Sequence, residues 1–445
     1  MQGKNLSTGF RCAFLWVPLV VAGCTGNTRA QLERVKALKA EVAEVERPPA
    51  DGPRQSLALP ELIERALQRS PDVLRSELRA LTDQADFDQF ASAGLPRVGL
   101  DASYGRSAYL RRDESSGLRV APALSWDVLR LLQNSRMKRF RARSERANAL
   151  GRDIARETVE LEVVRRYVEW EAARTTAALA RERAAVAARQ ARIAELQGTT
   201  AGDSPTLEAN AAAAGRQSDA SEGRSLAAET RLRSLCRLGA NEQPVSGFAE
   251  PAPLDPPPLG EYLARVLATS EGVELADVRA ALADQRARAT AAQRWTNFRF
   301  STDAGNILGL LSSSPFAILT WSYSLIDQGD FNRQLIKARA EALLARLDRR
   351  DEADRLLDTA GRVWVALLDA AVDRRKAQDA QRVAMLAERV AAAQVADRVA
   401  PPAALTEADL NLAAARADLR LRSLDHLLLS TQFRLLGGER ALSHG

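Results

Sequence analysis

The spacing of apolar residues divides the chain into long helices and four short strands. Residues 59–90 have apolar side chains at helical intervals, whereas residues 98–104 alternate between apolar and polar, which is typical of a β-strand. The same alternation recurs in three further stretches, at about 118–127, 297–304 and 316–326. Residues 135–197 and 330–398 contain no proline and one glycine each, and predict two helices of about 90–100 Å.

These elements occur twice, about 200 residues apart. Leu59–Leu67 returns as Leu259–Leu267, and Leu124–Trp126 returns as Leu319–Trp321. A unit this long is half a molecule rather than a solenoid repeat. We therefore predict two copies of the order helix, strand, strand, long helix, helix. The first repeat covers 57–245, with strands at about 97–105 and 118–127. The second repeat covers 259–440, with strands at about 297–304 and 316–326. A Pro-rich linker at 246–258 joins the two repeats, and a tail follows at 441–445.

The first residues predict a signal peptide. Lys4 and Arg11 precede an apolar run that is too short to span a bilayer and ends in small residues, so we assign 1–23 to the signal. Val21–Cys24 resembles the lipobox of bacterial lipoproteins, which implies cleavage before Cys24, acylation of that residue and a lipid-anchored segment at 24–56. Thr25 after the cysteine favours the outer membrane in such proteins. The alternative is an ordinary signal peptide with a coincidental cysteine.

Charge and chemistry indicate no catalytic centre. The 63 basic and 57 acidic residues are interspersed, which favours solvated helix faces over a nucleic-acid site. Of the two histidines, His426 lies on the apolar seam of the last helix, so no histidine pair is available for a metal or a triad. Removal of the signal leaves only Cys24 and Cys236, and the apolar surroundings of Cys236 predict inert packing. We expect no enzymatic activity, no metal and no cofactor.

The strands have the length of membrane-spanning strands. Each has about 9–11 residues with an aromatic residue near one end, as in transmembrane β-barrels. The predicted membrane-interface aromatics are Tyr104, Trp126, Trp321 and Tyr323. Four strands cannot close a barrel, and open edges in lipid leave backbone groups unpaired, so copies of the chain must share one barrel. Two copies would give a filled eight-stranded barrel and three a water-filled one, and we predict three. A soluble hairpin packed on helices is the alternative.

The order of these features resembles the TolC-like outer-membrane factor family, in its lipoprotein branch associated with resistance-nodulation-division pumps. The resemblance rests on the motifs at Leu62–Pro71, Leu95–Pro96 and Leu325–Gly329, and on Glu208 and Glu407 after the two turns. It implies a mainly α protein with an α-helical barrel in the periplasm and a 12-stranded β-barrel completed by trimerisation in the outer membrane.

The same resemblance implies a function. The protein would be the exit duct of a tripartite efflux system, with a periplasmic adaptor (membrane fusion) protein and an inner-membrane pump as partners. The junction at Trp126–Asn134 and the Pro401–Pro402 turn depart from the family pattern. A type I protein-secretion duct and, in a different class, a periplasmic coiled-coil adaptor lipoprotein are the alternatives.

In this family, acidic residues after the second-half turn form rings that narrow the periplasmic entrance. The matching residue here is Glu407, with Asp409 as its neighbour, and the first-half equivalents are Glu208 and Asp203. Three carboxylates around one axis repel each other, so a closed state needs cationic partners such as Arg398. Such rings also favour cations. The alternative is that these are ordinary solvated charges.

Overall fold

The structure is a computed structural model that describes residues 30–43, 55–92, 97–106, 116–126, 128–196, 204–247, 256–293, 297–303, 316–322 and 330–439. Several predicted features lie outside these ranges. They are the signal peptide with Cys24, the Leu95–Pro96 and Leu325–Gly329 motifs, Asp203, Tyr323, and the apolar stretch Ile307–Leu311, to which the sequence assigns no role.

The described chain is mostly helical, as predicted, and both halves share the order helix, helix, strand, strand, long helix, helix, to which the first half adds the short strands β1 and β4. Helix α1 covers residues 30–43 and precedes the first half. The elements of the first half are β1 (Gln55–Leu57), α2 (Leu59–Arg69), α3 (Pro71–Ser92), β2 (Arg97–Arg106), β3 (Ser116–Trp126), α4 (Val128–Leu196), α5 (Ser204–Cys236) and β4 (Glu242–Pro244). Those of the second half are α6 (Leu259–Thr269), α7 (Glu271–Gln293), β5 (Asn297–Asp303), β6 (Phe316–Ser322), α8 (Asp330–Ala396) and α9 (Pro402–Leu436).

The expectation of one continuous helix over residues 59–90 is wrong, because the helix breaks at Ser70. Ser70 has an extended backbone (φ −71°, ψ 124°), as expected for a residue before proline. Pro71 then starts α3, and the Ser70 hydroxyl accepts a hydrogen bond from the Asp72 N–H at 3.2 Å. The second half breaks at the matching Ser270 (φ −66°, ψ 116°).

The strands form two sheets. β2, β3, β5 and β6 make a four-stranded antiparallel sheet in that order, so the hairpins of the two halves meet where β3 pairs with β5. The sequence did not predict the second sheet, in which β1 and β4 pair in parallel with Gln55 opposite Glu242. Its strands have three residues each, too short for an alternation to be visible.

The chain divides into two units. The first comprises residues 1–42, 75–152 and 272–351, and the second comprises residues 43–74, 153–271 and 352–445. The first unit contains the four-stranded sheet, and ion pairs such as Arg146–Glu274 (2.7 Å) and Arg346–Asp284 (2.7 Å) link its helices.

The second unit contains two clusters of buried apolar residues. We call the one built from β1, α2, α4 and α5 the first core; it includes Leu62, Tyr167 and Leu232, and it also takes Leu424 from α9. The other, the second core, is built from α6, α8 and α9 and includes Tyr262 and Phe433, whose rings stack at 4.1 Å.

No helix among the described residues contains an apolar stretch long enough to cross a bilayer.

Candidate functional site

The turn between α8 and α9 is the region where the sequence places three of its five candidate gate residues. Arg398 has a left-handed backbone (φ 56°), and the N–H groups of Val399 and Ala400 both donate to the Gln394 carbonyl, at 2.9 and 3.1 Å. These hydrogen bonds satisfy the Gln394 carbonyl at the C-terminal end of α8. Pro401 is the N-cap of α9 and Pro402 its first residue. At these positions the missing N–H of proline removes no hydrogen bond of the helix. The result is a tight turn defined by backbone hydrogen bonds.

Three of the predicted gate residues lie on or close to this turn. Arg398 is in the turn itself, and Glu407 and Asp409 are near the start of α9, all three exposed to solvent. Within the described ranges none of the three forms an ion pair with another residue of the same chain. Glu407 and Asp409 are two positions apart on a helix and therefore point in nearly opposite directions. Only one of them can face a common axis.

The first-half equivalent is partly visible. Glu208 lies near the start of α5 and is exposed, as Glu407 is near the start of α9. Asp203 precedes α5 and lies outside the described residues.

A buried polar cluster in the second unit escaped the sequence analysis. The Glu171 side chain on α4 is 1% exposed, and its Oε1 accepts hydrogen bonds from the Ser246 hydroxyl (2.7 Å) and from two nitrogens of the Arg420 guanidinium, Nε at 3.0 Å and Nη2. Tyr167, one turn earlier on α4, donates to the Val245 carbonyl at 3.0 Å and accepts from the Gly247 N–H at 3.2 Å. We call these residues the Glu171 cluster. It joins α4 of the first half, α9 of the second and the segment after β4.

The sequence contains a signal for this cluster. The apolar seam of α4 runs through Leu161, Val164 and Val168 in steps of three and four, and the next seam position is Glu171. A charged residue on a seam predicts a buried partner. The 196-residue spacing between Arg141 and Lys337 makes Leu367 the counterpart of Glu171 in the second repeat, and Leu367 is buried as well.

Burial favours the neutral forms of Cys236, Tyr167 and His426 in the second unit. Burial raises the pKa of the Cys236 thiol to about 12, and Cys236 is fully buried at the end of α5, as expected for inert packing. Burial also raises the pKa of Tyr167. Burial, with the charges of Arg374 and Arg434, lowers the pKa of His426.

The described part of the chain shows no metal site. The described residues contain no group of three or more His, Cys, Asp or Glu side chains placed to hold a metal ion. The structure does show two pairs of long helices, α4 with α5 and α8 with α9, and exposed charged residues beside the α8–α9 turn.

Solved structures share this architecture. The outer-membrane channel CmeC of Campylobacter jejuni superposes with a TM-score of 0.71 at 13% identity, covering 86% of this chain and 87% of that one. This chain has the TolC-like fold. The outer-membrane protein VceC of Vibrio cholerae (TM-score 0.66, 19% identity, covering 86% and 97%) and the MtrE outer-membrane channel of Neisseria gonorrhoeae in its open state (0.66, 16%, covering 87% and 90%) agree with this assignment. No protein-family model and no curated protein sequence matches the chain. Identities this low establish the TolC-like fold alone.

Proposed function

We propose that the protein is a passive outer-membrane exit duct that acts as a homotrimer. The observation that carries this proposal is an exposed apolar face on α8. In the second unit Val365, Leu368 and Val372, and then Val383, Leu386 and Val390, repeat at intervals of three and four and are each 36–66% exposed. That spacing places each trio on one face of the helix. An apolar face of this extent indicates a surface that another protein covers.

The four-stranded sheet supports the same assembly. β2 and β6 form its two edges, and an edge in lipid is tolerated only when another strand pairs with it. Three chains that pair β6 of one copy with β2 of the next would complete a 12-stranded barrel wide enough for water.

Aromatic positions support placement of this sheet in a membrane. Tyr104 is opposite Leu118, towards the hairpin end of the β2–β3 pair, whereas Trp126 and Trp321 are at the ends of β3 and β6 that lie next to helices. Aromatic residues at both ends of the strands match the two interfacial girdles of outer-membrane barrels. We therefore place the sheet in the bacterial outer membrane, with acylated Cys24 as a lipid anchor.

The solved structures that share this fold support a role as a conducting channel. CmeC and MtrE are described as outer-membrane channels, and the CusC structure is described in terms of transmembrane channel formation. By analogy the long helices of this chain form an α-helical barrel in the periplasm, and it conducts small molecules delivered by an inner-membrane pump through a periplasmic adaptor. A type I secretion duct shares this fold and is the second candidate. The presence of two long helical hairpins and one four-stranded sheet in the chain disfavours the adaptor alternative.

The α8–α9 turn and the start of α9 would form the gate at the periplasmic entrance of the duct. Glu407 has the exposure that a pore-facing ring requires, and Asp409, on the opposite side of α9, would contact a neighbouring helix or solvent instead. Arg398 would neutralise the ring in the closed state, and Glu208 with Asp203 would form the first-half equivalent.

The proposed function is tested by the purified protein. Full-length protein extracted from outer membranes should have the native mass of a trimer, carry acyl chains on Cys24 and form channels in planar bilayers. A water-soluble monomer without conductance would refute the proposal. Genetic loss of the channel should also sensitise cells to small toxic compounds, whereas loss of an exported protein alone would favour the secretion duct.

The gate has its own test. We expect Glu407→Ala to raise single-channel conductance because it removes three carboxylates from the narrowest point and, with them, the attraction to Arg398 that would hold the entrance closed; Asp409→Ala should have the smaller effect. Asp418→Ala is the matched control, an exposed carboxylate on the same helix about 16 Å further along. Equal conductance of Glu407→Ala and the wild type would remove Glu407 from the gate.

A further inference from the structure

The pairing of the four strands places nearly all their charged residues on one face of the sheet. Successive strand residues alternate between the two faces, and residues opposite each other on neighbouring strands share a face. One face, which we call the apolar face, carries pairs such as Val98 with Leu124 and Phe298 with Trp321. The other, the polar face, carries five of the six charged residues within these strands, namely Arg97, Asp101, Arg119, Arg299 and Asp303.

The arginines of the two hairpins are equivalent in the repeat. Arg97 on β2 is opposite Ser125, and Arg299 on β5 is opposite Thr320. Ser125 and Thr320 match each other, since each is the middle residue of one of the two repeated motifs that begin with leucine and end with tryptophan. Arg97 and Arg299 therefore occupy the same position in the first strand of each hairpin. Both lie near the strand end that follows a helix.

An aspartate follows each arginine at the same distance. Asp101 comes four residues after Arg97, and Asp303 comes four residues after Arg299. An even spacing keeps arginine and aspartate on one face, about 13 Å apart along the strand. Both hairpins thus carry an arginine near the helices and an aspartate further away, on the polar face.

No carboxylate lies on a strand next to either arginine. The neighbours of β5 are β3 and β6, and β3 is the neighbour of β2 within the chain. Between them β3 and β6 contain a single charged residue, Arg119, which is opposite Ser103. The positive and negative positions of the polar face are therefore separated along the strands and not interleaved.

The proposed trimer turns these positions into rings. A charge on the lipid face of a barrel strand is costly near the middle of the bilayer, so the polar face lines the lumen. β3 separates β2 from β5 in each chain, and β6 would separate β5 from β2 of the next copy. Arg97 and Arg299 then lie on every second strand, six in a trimer, with about 10 Å between neighbouring strands that carry them.

We propose that the lumen contains a ring of six arginines at its periplasmic end and a ring of six aspartates further out, and that the arginine ring binds anionic groups of the compounds that leave the helical barrel. Guanidinium groups bind carboxylates, sulfates and phosphates with paired hydrogen bonds. Arginine rings favour anions in pores, and aspartate rings favour cations. A bound anion also relieves the repulsion among six like charges. The inference rests on the proposed trimeric duct and adds a ligand class to it.

Ion selectivity in planar bilayers tests the two rings. In a tenfold KCl gradient, Arg97→Gln with Arg299→Gln should lower the ratio of chloride to potassium permeability at least threefold relative to the wild type. Asp101→Asn with Asp303→Asn should raise the same ratio. The matched control is Arg106→Gln, since Arg106 is on β2 like Arg97 but on the apolar face, at the hairpin end. It should leave the ratio unchanged.

Block by a trivalent anion tests binding. Hexacyanocobaltate(III), added on the side of the helical barrel, should block the wild-type current. Arg97→Gln with Arg299→Gln should raise the half-blocking concentration at least tenfold, and Arg97→Lys with Arg299→Lys, which keeps the charge, should restore most of the block. An effect of the glutamine substitutions on packing alone would not be reversed in this way.

The outcomes separate this inference from the proposed function. Trimeric channels in which the glutamine double variant matches the wild type in selectivity and block overturn the rings and leave the duct intact, as does an equal effect of Arg106→Gln. If the double variant does not assemble, Arg97→Gln or Arg299→Gln alone, with three charges fewer, must shift the selectivity in the same direction, and an absent shift overturns the rings. A wild type that forms no channels overturns both.

Discussion

Removal of Arg420 should destabilise the protein far more than removal of an ordinary surface charge. Glu171 is 1% exposed, and its Oε2 has no hydrogen-bond partner among the described residues, so Arg420→Ala would leave a buried carboxylate held only by the Ser246 hydroxyl. Removing one partner of a buried ion pair costs about 3–5 kcal/mol. Because the Arg420 side chain is 40% exposed and water can partly replace it, we expect a loss near the lower limit, about 3 kcal/mol per chain.

The second repeat supplies a conservative replacement for the pair. Leu367 occupies the position of Glu171 and is buried without a charge, so Glu171→Leu with Arg420→Leu should recover most of the loss. Buried ion pairs can often be exchanged for packed apolar residues at little cost. We expect the double variant to lie within about 1 kcal/mol of the wild type, since both charges are then absent.

The assay is urea unfolding in detergent, followed by circular dichroism and by tryptophan fluorescence, to which Trp170 beside the cluster contributes. The control is Arg382→Ala, which breaks the exposed pair with Asp379 and should cost less than about 0.5 kcal/mol. The reasoning fails if Arg420→Ala and Arg382→Ala have the same effect. It also fails if the double variant is as unstable as Arg420→Ala alone.

Two further predictions concern α9. The pKa of His426 in the folded protein lies below its ordinary value near 6.5, so the neutral form contributes stability that is present above pH 6.5 and is lost as the pH falls through the lowered pKa. The melting temperature of His426→Leu should therefore fall less between pH 7.5 and pH 5 than that of the wild type. An equal fall would exclude His426 as a cause of the pH dependence. At the end of α9, Gly438 has φ 77° and an added Cβ would lie 2.8 Å from Thr269 Cβ, so Gly438→Ala should cost more than about 1 kcal/mol. At Gly437, where φ is −78° and the nearest atom would be 3.4 Å away, alanine should cost less; thermal melting of both variants measures the difference.

The long helices could be predicted from the sequence because nothing interrupts them. One glycine and no proline in each stretch of more than 60 residues leave helix as the only regular structure, and α4 and α8 have that length. Alternation likewise located the strands, since it differs from helical spacing at every second residue.

Features that depend on distant partners could not be predicted. The break at Ser270 has no proline after it, so the apolar spacing continues across the break unchanged. β1 pairs with β4 some 187 residues away, and a three-residue strand carries no recognisable pattern. Among the candidate site residues the position of Glu407 beside a tight turn was predictable from Pro401 and Pro402. The roles of Glu171 and Arg420 were not, because their significance depends on α4 and α9 lying side by side.

The difference between the two repeats bears on which helix takes which place in the folded chain. Within the chain α9 packs on α8 in the second core and also contacts α4 through Leu424 and the Glu171 cluster. Docking at the matching place on α8 would set Arg420 against Leu367 and leave the guanidinium without a carboxylate, a penalty that docking on α4 avoids. Conversely, α5 carries Glu222 where α9 carries Arg420, so α5 in the place of α9 would set that carboxylate against Glu171. The Glu171 cluster therefore selects α9, rather than α5, for the place beside Glu171 on α4.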